Sequence, residues 1–598
     1  MKKIMTILLI FSWLVILVPR VEAKTLDLIK CEYTAEFKAW QKLSKAEKET
    51  IHMPVMCVRT YDYANLQKKA PGSLYTDPSF SLVADGHVTP VRDQKQTGTC
   101  WAQAAIASIE SNLLKKTGAS KNMSVGHMHL ATQSTLFSPK RITFNRAHDI
   151  GASAFMASAY VLNYWGPIDE KPAFTIDKVM DYEASPPRAT ISATTVEAEK
   201  ARYNVKDIAM TFNDLGCTTS IKNEIKQYLV TNGAMSAGIH WAMFTDLSNI
   251  SDIVNSGVRT LKHQYINGQY YYYDGSNYTE LGGGPVTGVM TSANHDVTIV
   301  GWDDTISRTN FTTQPSNNGA WLIKNSWGTA YVTGGQNLFD MGNNGYFWVS
   351  YEDVRICEMV VGFHNVDQNP SDNAYFHDDL GWVATQGVST DEVFFGSVFT
   401  KKSSQSELLN RVTIGTLQPG LNYTIYYAPN DDFADYESKV IGSGTITHQG
   451  YQSIPVTGTT INTAKFSIVV KLTNPAGGYV DFPVTANIPS SPWSTAQLKT
   501  GVAYYGDGIE WYDTAALYGV IMPIRAYTTN SGGNPNPPPG PNPPPGGNPN
   551  PPAGPNPGPD VDNPQTGIID HTIMGMSIIS VCVSGLWLMK RTNVFVRF

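Results

Sequence analysis

The stretch QKQTGTCWAQAA, residues 94–105, sets a lone cysteine, Cys100, ahead of Trp101 and a run of small residues. From Ala102 onward the apolar positions Ala102, Ala105, Ile106, Ile109 and Leu113 recur at helical spacing, which predicts a helix directly after Cys100 with one face buried. A thiol attacks a carbonyl usefully only as its thiolate, and the positive end of a helix dipole favours that form. Cys100 is therefore either one more buried thiol or a nucleophile. The choice depends on whether distant residues supply a base, a group to orient that base, and donors for an oxyanion.

The sequence holds all three. SANHDVTIVGWDD places His295 at the mouth of a strand predicted over 296–302. GAWLIKNSW, residues 319–327, reads as a second buried strand and ends in Asn325, with Trp327 two residues on to shield an Asn–His hydrogen bond from water. Gln94, six residues before Cys100, offers a side-chain amide that, with the Cys100 backbone N–H, would receive an oxyanion.

Gln94, Cys100-Trp101-Ala102, Asn294-His295 and Asn325-Ser326-Trp327-Gly328 stand in the order and contexts of the papain family of cysteine proteases, which this chain resembles over about residues 79–365. VTPVRDQ (88–94), IKQYLVTNGAMSAGI (225–239) and NNGYFWVSYED (343–353) extend the resemblance. It implies an α+β fold of two lobes, one helical and one β-rich, with the active site in the cleft between them. In that reading Cys100 is the nucleophile, His295 the acid/base, Asn325 the orienting residue and Gln94 the oxyanion-hole side chain. The wall that selects the substrate is expected around Gly151, Met235, Ala237 and Trp327. No metal or organic cofactor is implied. Thr97 stands where the family has a disulfide-bonded cysteine, so that brace is absent. The gap from Cys100 to His295 is 195 residues, against about 130–150 in the family signature. Tyr- and Gly-rich 262–290, and 304–319 between His295 and Asn325, are expected as loop insertions on the cleft rim.

The rest of the chain sets this region in context. At 598 residues it exceeds one ordinary core, and a net charge of −7 without a basic stripe argues against nucleic-acid partners. The N-terminus carries Lys2, Lys3, an apolar run and Val21-Glu22-Ala23, the pattern of a secretory signal over 1–23. Residues 24–78 contain Phe37, Trp40 and Leu43 at helical spacing and are read as a pro-segment, which makes the protein a zymogen by the family's habit. Residues 374–527 alternate apolar and polar positions in short strands, among them Val412/Ile414, Leu421/Tyr423/Ile425/Tyr427, Phe466/Ile468/Val470/Leu472 and Tyr518/Val520/Met522/Ile524. This predicts an antiparallel β-sandwich that resembles the lectin-like domains following some bacterial papain-type proteases, with glycan as a candidate ligand. Residues 530–562 are almost wholly Asn, Pro and Gly, an extended solvated linker. NPQTG (563–567), an apolar stretch over 573–589 and Lys590-Arg591 then follow in an order that resembles a sortase sorting signal. By that resemblance sortase cuts between Thr566 and Gly567 and joins Thr566 to cell-wall peptidoglycan; a plain single-span membrane anchor is the alternative.

Six cysteines without CxxC spacing exclude a zinc ribbon. Cys217 and Cys357 read as packed thiols, and Cys31 and Cys57 are candidates for a bridge within the pro-segment. His127 and His129 lie two apart on a helix, do not share a face, and are assigned structural roles. The function expected is a surface-anchored cysteine endopeptidase that acts on protein or peptide substrates through a thioester. The alternative is a surface adhesin that keeps the protease fold as a scaffold and binds through its β-domain. Another acyl transfer at the same thiol, such as trimming of peptidoglycan stems, uses the same residues.

Overall fold

Helix α1 (Cys100–Thr117) is buried on every residue from Cys100 to Leu113, so it runs through the interior instead of lying on the surface. The Trp101/Ala102/Ala105/Ile106/Ile109/Leu113 stripe enters one apolar core. Its end is set by Gly118, whose φ of 71° closes the last turn through a bond from its N–H to Leu114 O. In this computed structural model most of residues 76–531 are described, together with the two-residue strand β1 (Leu28–Ile29). Residues 241–262, 276–292, 331–343 and 487–494, the N-terminal stretches 1–27 and 30–75, the C-terminal 532–598 and some shorter gaps lie outside the described residues. The signal, most of the pro-segment with Cys31 and Cys57, the linker, Thr566, Gly567 and the apolar stretch 573–589 all fall there. Among the described residues no helix is long and apolar enough to cross a membrane.

One side of α1 packs against α2 (Val125–Ala131) and α3 (Ala154–Leu162), making a helical lobe with α4 (Ile176–Glu183) and α5 (Ala193–Ala198) around Met128, Tyr160, Phe174 and Val179. Its other side packs on β4 (Met235–Ile239), β7 (His295–Asp303) and β10 (Met359–His364). The sheet continues antiparallel from β4 to β7, whose end also pairs with the short β2 (Ser79–Ser81), and on to β8 (Ala320–Lys324) and β9 (Tyr346–Ser350). Helix α6 (Thr219–Asn232) adds Ile221, Ile225 and Leu229 to a second core with Trp302, Trp321 and Ile323. Part of the insertion expected at 262–290 is a hairpin, β5 (His263–Ile266) and β6 (Gln269–Tyr272), which joins the sheet beside β9 in parallel.

Cys217 and Cys357 form a disulfide across 140 residues, which corrects the reading of both as packed thiols. Sequence spacing carries no information about pairing at that range, and here α6 and β10 bring their flanking segments together.

The C-terminal unit is built from β11 (Asn373–Tyr375), β12 (Ala384–Val388), β13 (Glu392–Thr400), β14 (Glu407–Thr416), β15 (Asn422–Ala428), β16 (Val440–Thr445), β17 (Gly450–Ile461), β18 (Lys465–Thr473), β19 (Val480–Ala486), β20 (Ala503–Gly506), β21 (Trp511–Asp513), β22 (Val520–Ile521) and β23 (Ile524–Asn530). One sheet runs β16-β15-β18-β13-β20-β21, and β1, β12, β19 and β22 form another. Phe395, Ile425, Phe466 and Ile468 meet Val412, Ile414 and Ile454 in the core between layers. The run Tyr518–Ile524 is not one strand. Asp513 accepts from Ala516 N at 2.9 Å to start helix α7 (Thr514–Tyr518), Gly519 ends it at φ 65°, and Pro523 separates β22 from β23.

The two units share a sheet. β3 (Asp207–Phe212) pairs with β10 on one edge and with β17 on the other, giving the order β11-β23-β14-β17-β3-β10-β4-β7-β8-β9-β6-β5. At the junction Gly450 lies opposite Ala209 with φ 120°, and a Cβ there would stand 2.1 Å from Ile208 O. Only glycine allows so close a backbone approach.

Candidate active site

Cys100 is the first residue of α1, is 4% exposed and carries no disulfide. At that position the first-turn N–H groups and the helix dipole favour the thiolate and stand ready to receive an oxyanion. His295 opens β7, the strand on which α1 packs, and is fully buried. Its Nε2 bonds Asn325 Oδ1 at 2.8 Å. With the Nε2–H donating there, Nδ1 is the nitrogen left to exchange a proton with the thiol. Trp327 stacks on the imidazole with centroids 4.5 Å apart and planes 27° from parallel, so the ring is held by a bond at its edge and a face against indole.

Asn325 follows β8 directly and is fixed in turn. Its N–H bonds Gly345 O, and its Oδ1 also accepts from Ser326 N at 2.9 Å. The loop carrying Gln94 is stitched to the same turn by Gln94 N to Ser326 O at 2.7 Å and Gly328 N to Arg92 O at 2.9 Å. Ser326 Oγ donates to Gln94 Oε1 at 2.6 Å, and Gln94 Nε2 donates to Thr97 O at 2.9 Å. The amide orientation is thereby set, and the second hydrogen of Nε2 remains as a donor. Thr97 supplies a local brace: its Oγ1 donates to Gln94 O at 2.6 Å and lies 2.8 Å from Thr99 Oγ1. Hydrogen bonds within the loop stand where the resemblance would place a disulfide.

The expected substrate-wall residues divide. Trp327 lies on the His295 ring. Gly151 is buried three residues before α3. Met235 and Ala237 are each 2% exposed and belong to the sheet core, because β4 is an interior strand between β10 and β7. They are not placed at an open cleft wall.

Behind the site is a polar layer that the apolar stripe of α1 does not announce. A cavity of about 10 Å³, roughly the size of one water, is lined by Gln103, Asp296, Lys324, Asn325 and Ser326 among others. Among the described residues neither side-chain polar atom of buried Gln103 has a hydrogen-bond partner. Burial, and then the neighbouring Cys100, hold the Asp296 carboxyl well above the usual carboxylate range. Burial, and then the positive charge of Arg92, pull Lys324 down to about 7, against the opposing pull of Glu110. Lys324 Nζ donates to Thr89 O at 2.8 Å, and Thr89 Oγ1 donates to Glu110 on α1 at 2.7 Å. The signal available in sequence is Gln103 and Glu110 inside an otherwise small or apolar helix run.

His127 and His129 are both fully buried and apart in role. His127 Nδ1 lies 2.7 Å from Tyr160 Oη, and burial lowers its pKa to about 3. His129 Nε2 lies 2.9 Å from Glu183 Oε1. Among the described residues no group of three metal-ligating side chains converges.

Known proteins share both parts of this molecule. The model described as papain family cysteine protease matches residues 78–149, and that of a lectin like domain matches 374–528. The chain is a papain-type cysteine peptidase with a lectin-like domain. The peptidase is 24% identical over 307 residues to human cathepsin L2, covering 49% of this chain and 69% of the relative, and 24% identical to mouse cathepsin J, covering 46% and 61%. Its fold matches the crystal structure of the cysteine protease and lectin-like domains of Cwp84, a surface layer associated protein of Clostridium difficile, with a TM-score of 0.62 at 21% identity. That match covers 85% of this chain and all of the Cwp84 chain. A second Cwp84 structure, of a cysteine-to-alanine variant after propeptide cleavage, matches with a TM-score of 0.58 at 22% identity over 76% of this chain and 99% of that one. The likeness therefore spans both units.

Proposed function

We propose that this peptidase is a surface-anchored endopeptidase whose Cys100, His295 and Asn325 act as nucleophile, acid/base and orienting residue, with Gln94 at the oxyanion. The observation that carries the reading is the His295–Asn325 bond of 2.8 Å, capped by Trp327, on a strand packed against the helix that Cys100 begins. His295 Nδ1 takes the thiol proton, and the thiolate attacks the peptide carbonyl. The oxyanion meets the Cys100 N–H and Gln94 Nε2. The imidazolium then protonates the leaving amine, and water, deprotonated by His295, opens the thioester and releases the acid. Bond for bond the reaction is a hydrolysis and needs no cofactor.

The signal at 1–23, the linker over 530–562 and the NPQTG sequence ending at Gly567 support export and wall attachment through Thr566. Surface association of Cwp84 agrees with that location. The lectin-like unit is read as a glycan-binding module that holds the peptidase against a surface polymer.

The test is labelling by an epoxide thiol inhibitor together with peptide-library cleavage, on the processed protein and on Cys100→Ala. Labelling and cleavage are both expected for the wild type and neither for the variant. A wild type that is neither labelled nor active overturns the reading and leaves the adhesin. Wall-fraction assays of Thr566→Ala in a sortase-bearing host test anchoring, with release expected.

A further inference from the structure

The C-terminal unit contains a cavity of about 400 Å³ between β11, β13 and the segment 499–502. That volume is in the range of sites for small ligands, about 300–1,000 Å³, and suits one or two sugar rings. Three of its lining residues are Lys402, Lys465 and Lys499, and none of its lining residues is Asp or Glu. In a chain with 51 acidic and 44 basic residues, such a lining runs against the average. A cleft lined by one sign of charge focuses its field on an incoming ion of the opposite sign.

The three ammonium groups differ in their commitments. Lys402 Nζ donates to Ala374 O at 2.5 Å and lies 5.1 Å over the Tyr375 ring. Lys465 pairs with Asp431 at 2.5 Å, a residue outside the lining. Among the described residues no carboxylate lies within ion-pair distance of Lys499. Glu407, the acid nearest to Lys402 in effect, is fully buried behind Tyr375 and accepts its Oη at 2.8 Å, so it is not presented to the cavity.

The apolar wall is aromatic. His377 stacks on Phe399 with centroids 5.0 Å apart and planes 13° from parallel, and its Nε2 donates to Val398 O at 2.7 Å. Burial, and to a lesser degree the charge of Lys499, lower the His377 pKa, so its ring stays neutral and serves as a flat surface. Flat rings at the wall and cations at the rim suit the face of a pyranose with an anionic substituent.

Resting on the glycan-binding reading of this unit, we propose that the Lys402/Lys465/Lys499 cavity binds an acidic sugar unit, one that carries a carboxylate or a phosphate, within a surface polysaccharide. The aromatic wall takes the ring and the lysines take the charge. The peptidase is thereby directed to anionic polymer in preference to neutral glycan.

The test is isothermal titration calorimetry of the full chain, made inert by Cys100→Ala, at low and high salt. The ligands are a glucuronate-containing disaccharide, a short glycerol-phosphate oligomer, a neutral disaccharide of equal size and a hexaglutamate peptide. At least one of the two acidic sugar-polymer fragments is expected to bind about tenfold or more tightly than the neutral disaccharide and to weaken at high salt. Which of the two binds identifies the source of the charge. Lys402→Met with Lys499→Met should lower that affinity about tenfold while leaving the melting temperature in place, since both residues are exposed. Binding of the neutral disaccharide, unchanged in the double variant, overturns the acidic-sugar site and leaves the glycan reading standing. Binding of hexaglutamate in place of sugar overturns it in favour of a peptide partner. If no sugar binds, both this proposal and the glycan reading fall.

Discussion

In the proposed mechanism, replacing Asn325 by alanine isolates the orienting function from the nucleophile. Asn325 Oδ1 accepts from His295 Nε2 at 2.8 Å in a buried position, and when His295 becomes imidazolium that bond is to a charged donor. A bond of that kind contributes about 1.5–3 kcal/mol net. At about 1.36 kcal/mol per decade, the expected loss in kcat/KM is about 10- to 150-fold. The loss stops there because Trp327 still lies 4.5 Å from the imidazole and keeps the ring in plane. The assay is steady-state hydrolysis of a fluorogenic peptide by wild type, Asn325→Ala, Asn325→Gln and Cys100→Ala, with inhibitor labelling in parallel. Labelling of Asn325→Ala should persist at a reduced rate. A loss below about threefold would show that the Asn–His bond does not hold the reacting tautomer. A loss as deep as that of Cys100→Ala, with no labelling, would show that Asn325 is needed to build the site and not only to orient it.

Lys324 gives a pH prediction. Its pKa is about 7 in the folded protein and about 10.4 when unfolded, so between those values the unfolded chain binds the extra proton and stability rises with pH. Denaturant unfolding at pH 7 and pH 9 should therefore show about 2–3 kcal/mol more gain for wild type than for Lys324→Met, and equal slopes would refute the shift. The Cys217–Cys357 bridge closes a loop of 140 residues. Cys217→Ser with Cys357→Ser should cost about 2–5 kcal/mol by thermal or urea unfolding while Cys100 labelling of the folded fraction is retained.

Local pattern makes much of this molecule legible. The stripe after Cys100 is α1, and DVTIVGW and GAWLIKNSW are β7 and β8; the helix shows through its 3.6-residue apolar spacing although it is buried on all sides, and the strands through short continuous apolar runs, the mark of strands buried on both faces. Gln94, Cys100, His295 and Asn325 stand out by chemistry and family context, and the fold sets His295 against Asn325 and ties the Gln94 loop to the Asn325 turn. What stays hidden is information that no local window holds. The Cys217–Cys357 pairing and the β17–β3 junction each join segments far apart in the chain. Met235 and Ala237, expected at a wall, are buried on the interior strand β4, where side-chain surroundings are fixed by the neighbours β7 and β10 and not by β4's own residues. Alternation alone misreads the Tyr518–Ile524 run, where Asp513, Gly519 and Pro523 decide the shape.

The shared sheet makes the C-terminal unit a structural part of the site's support. From β17 the strands run β3, β10, β4, β7, so only three strands separate the lectin-like unit from the strand that carries His295. The same junction is fixed away from the sheet pairing by Arg525 on β23. Its Nε donates to Asp378 Oδ2 at 2.9 Å, its Nη2 to Asp378 O at 2.6 Å, and its Nη1 to Asn163 Oδ1, just past α3 in the helical lobe, at 2.8 Å. Both members of the ion pair are fully buried. Removing the cation by Arg525→Ala strands a buried carboxylate, a change that costs about 3–5 kcal/mol. Asp378 can answer by taking up a proton, so the penalty should be smaller at pH 5 than at pH 8. Unfolding curves at the two pH values, with Asp378→Asn and the double variant to complete the cycle, measure both the cost and the coupling. If the cost is under about 1 kcal/mol, or does not change with pH, Arg525 does not hold Asp378 of the C-terminal unit against Asn163 of the helical lobe. The support of β7 would then rest on the β3–β17 pairing and on the other bonds across the junction, among them Tyr527 Oη to Leu162 O at 3.1 Å and Arg411 Nη1 to Asn204 Oδ1 at 2.6 Å.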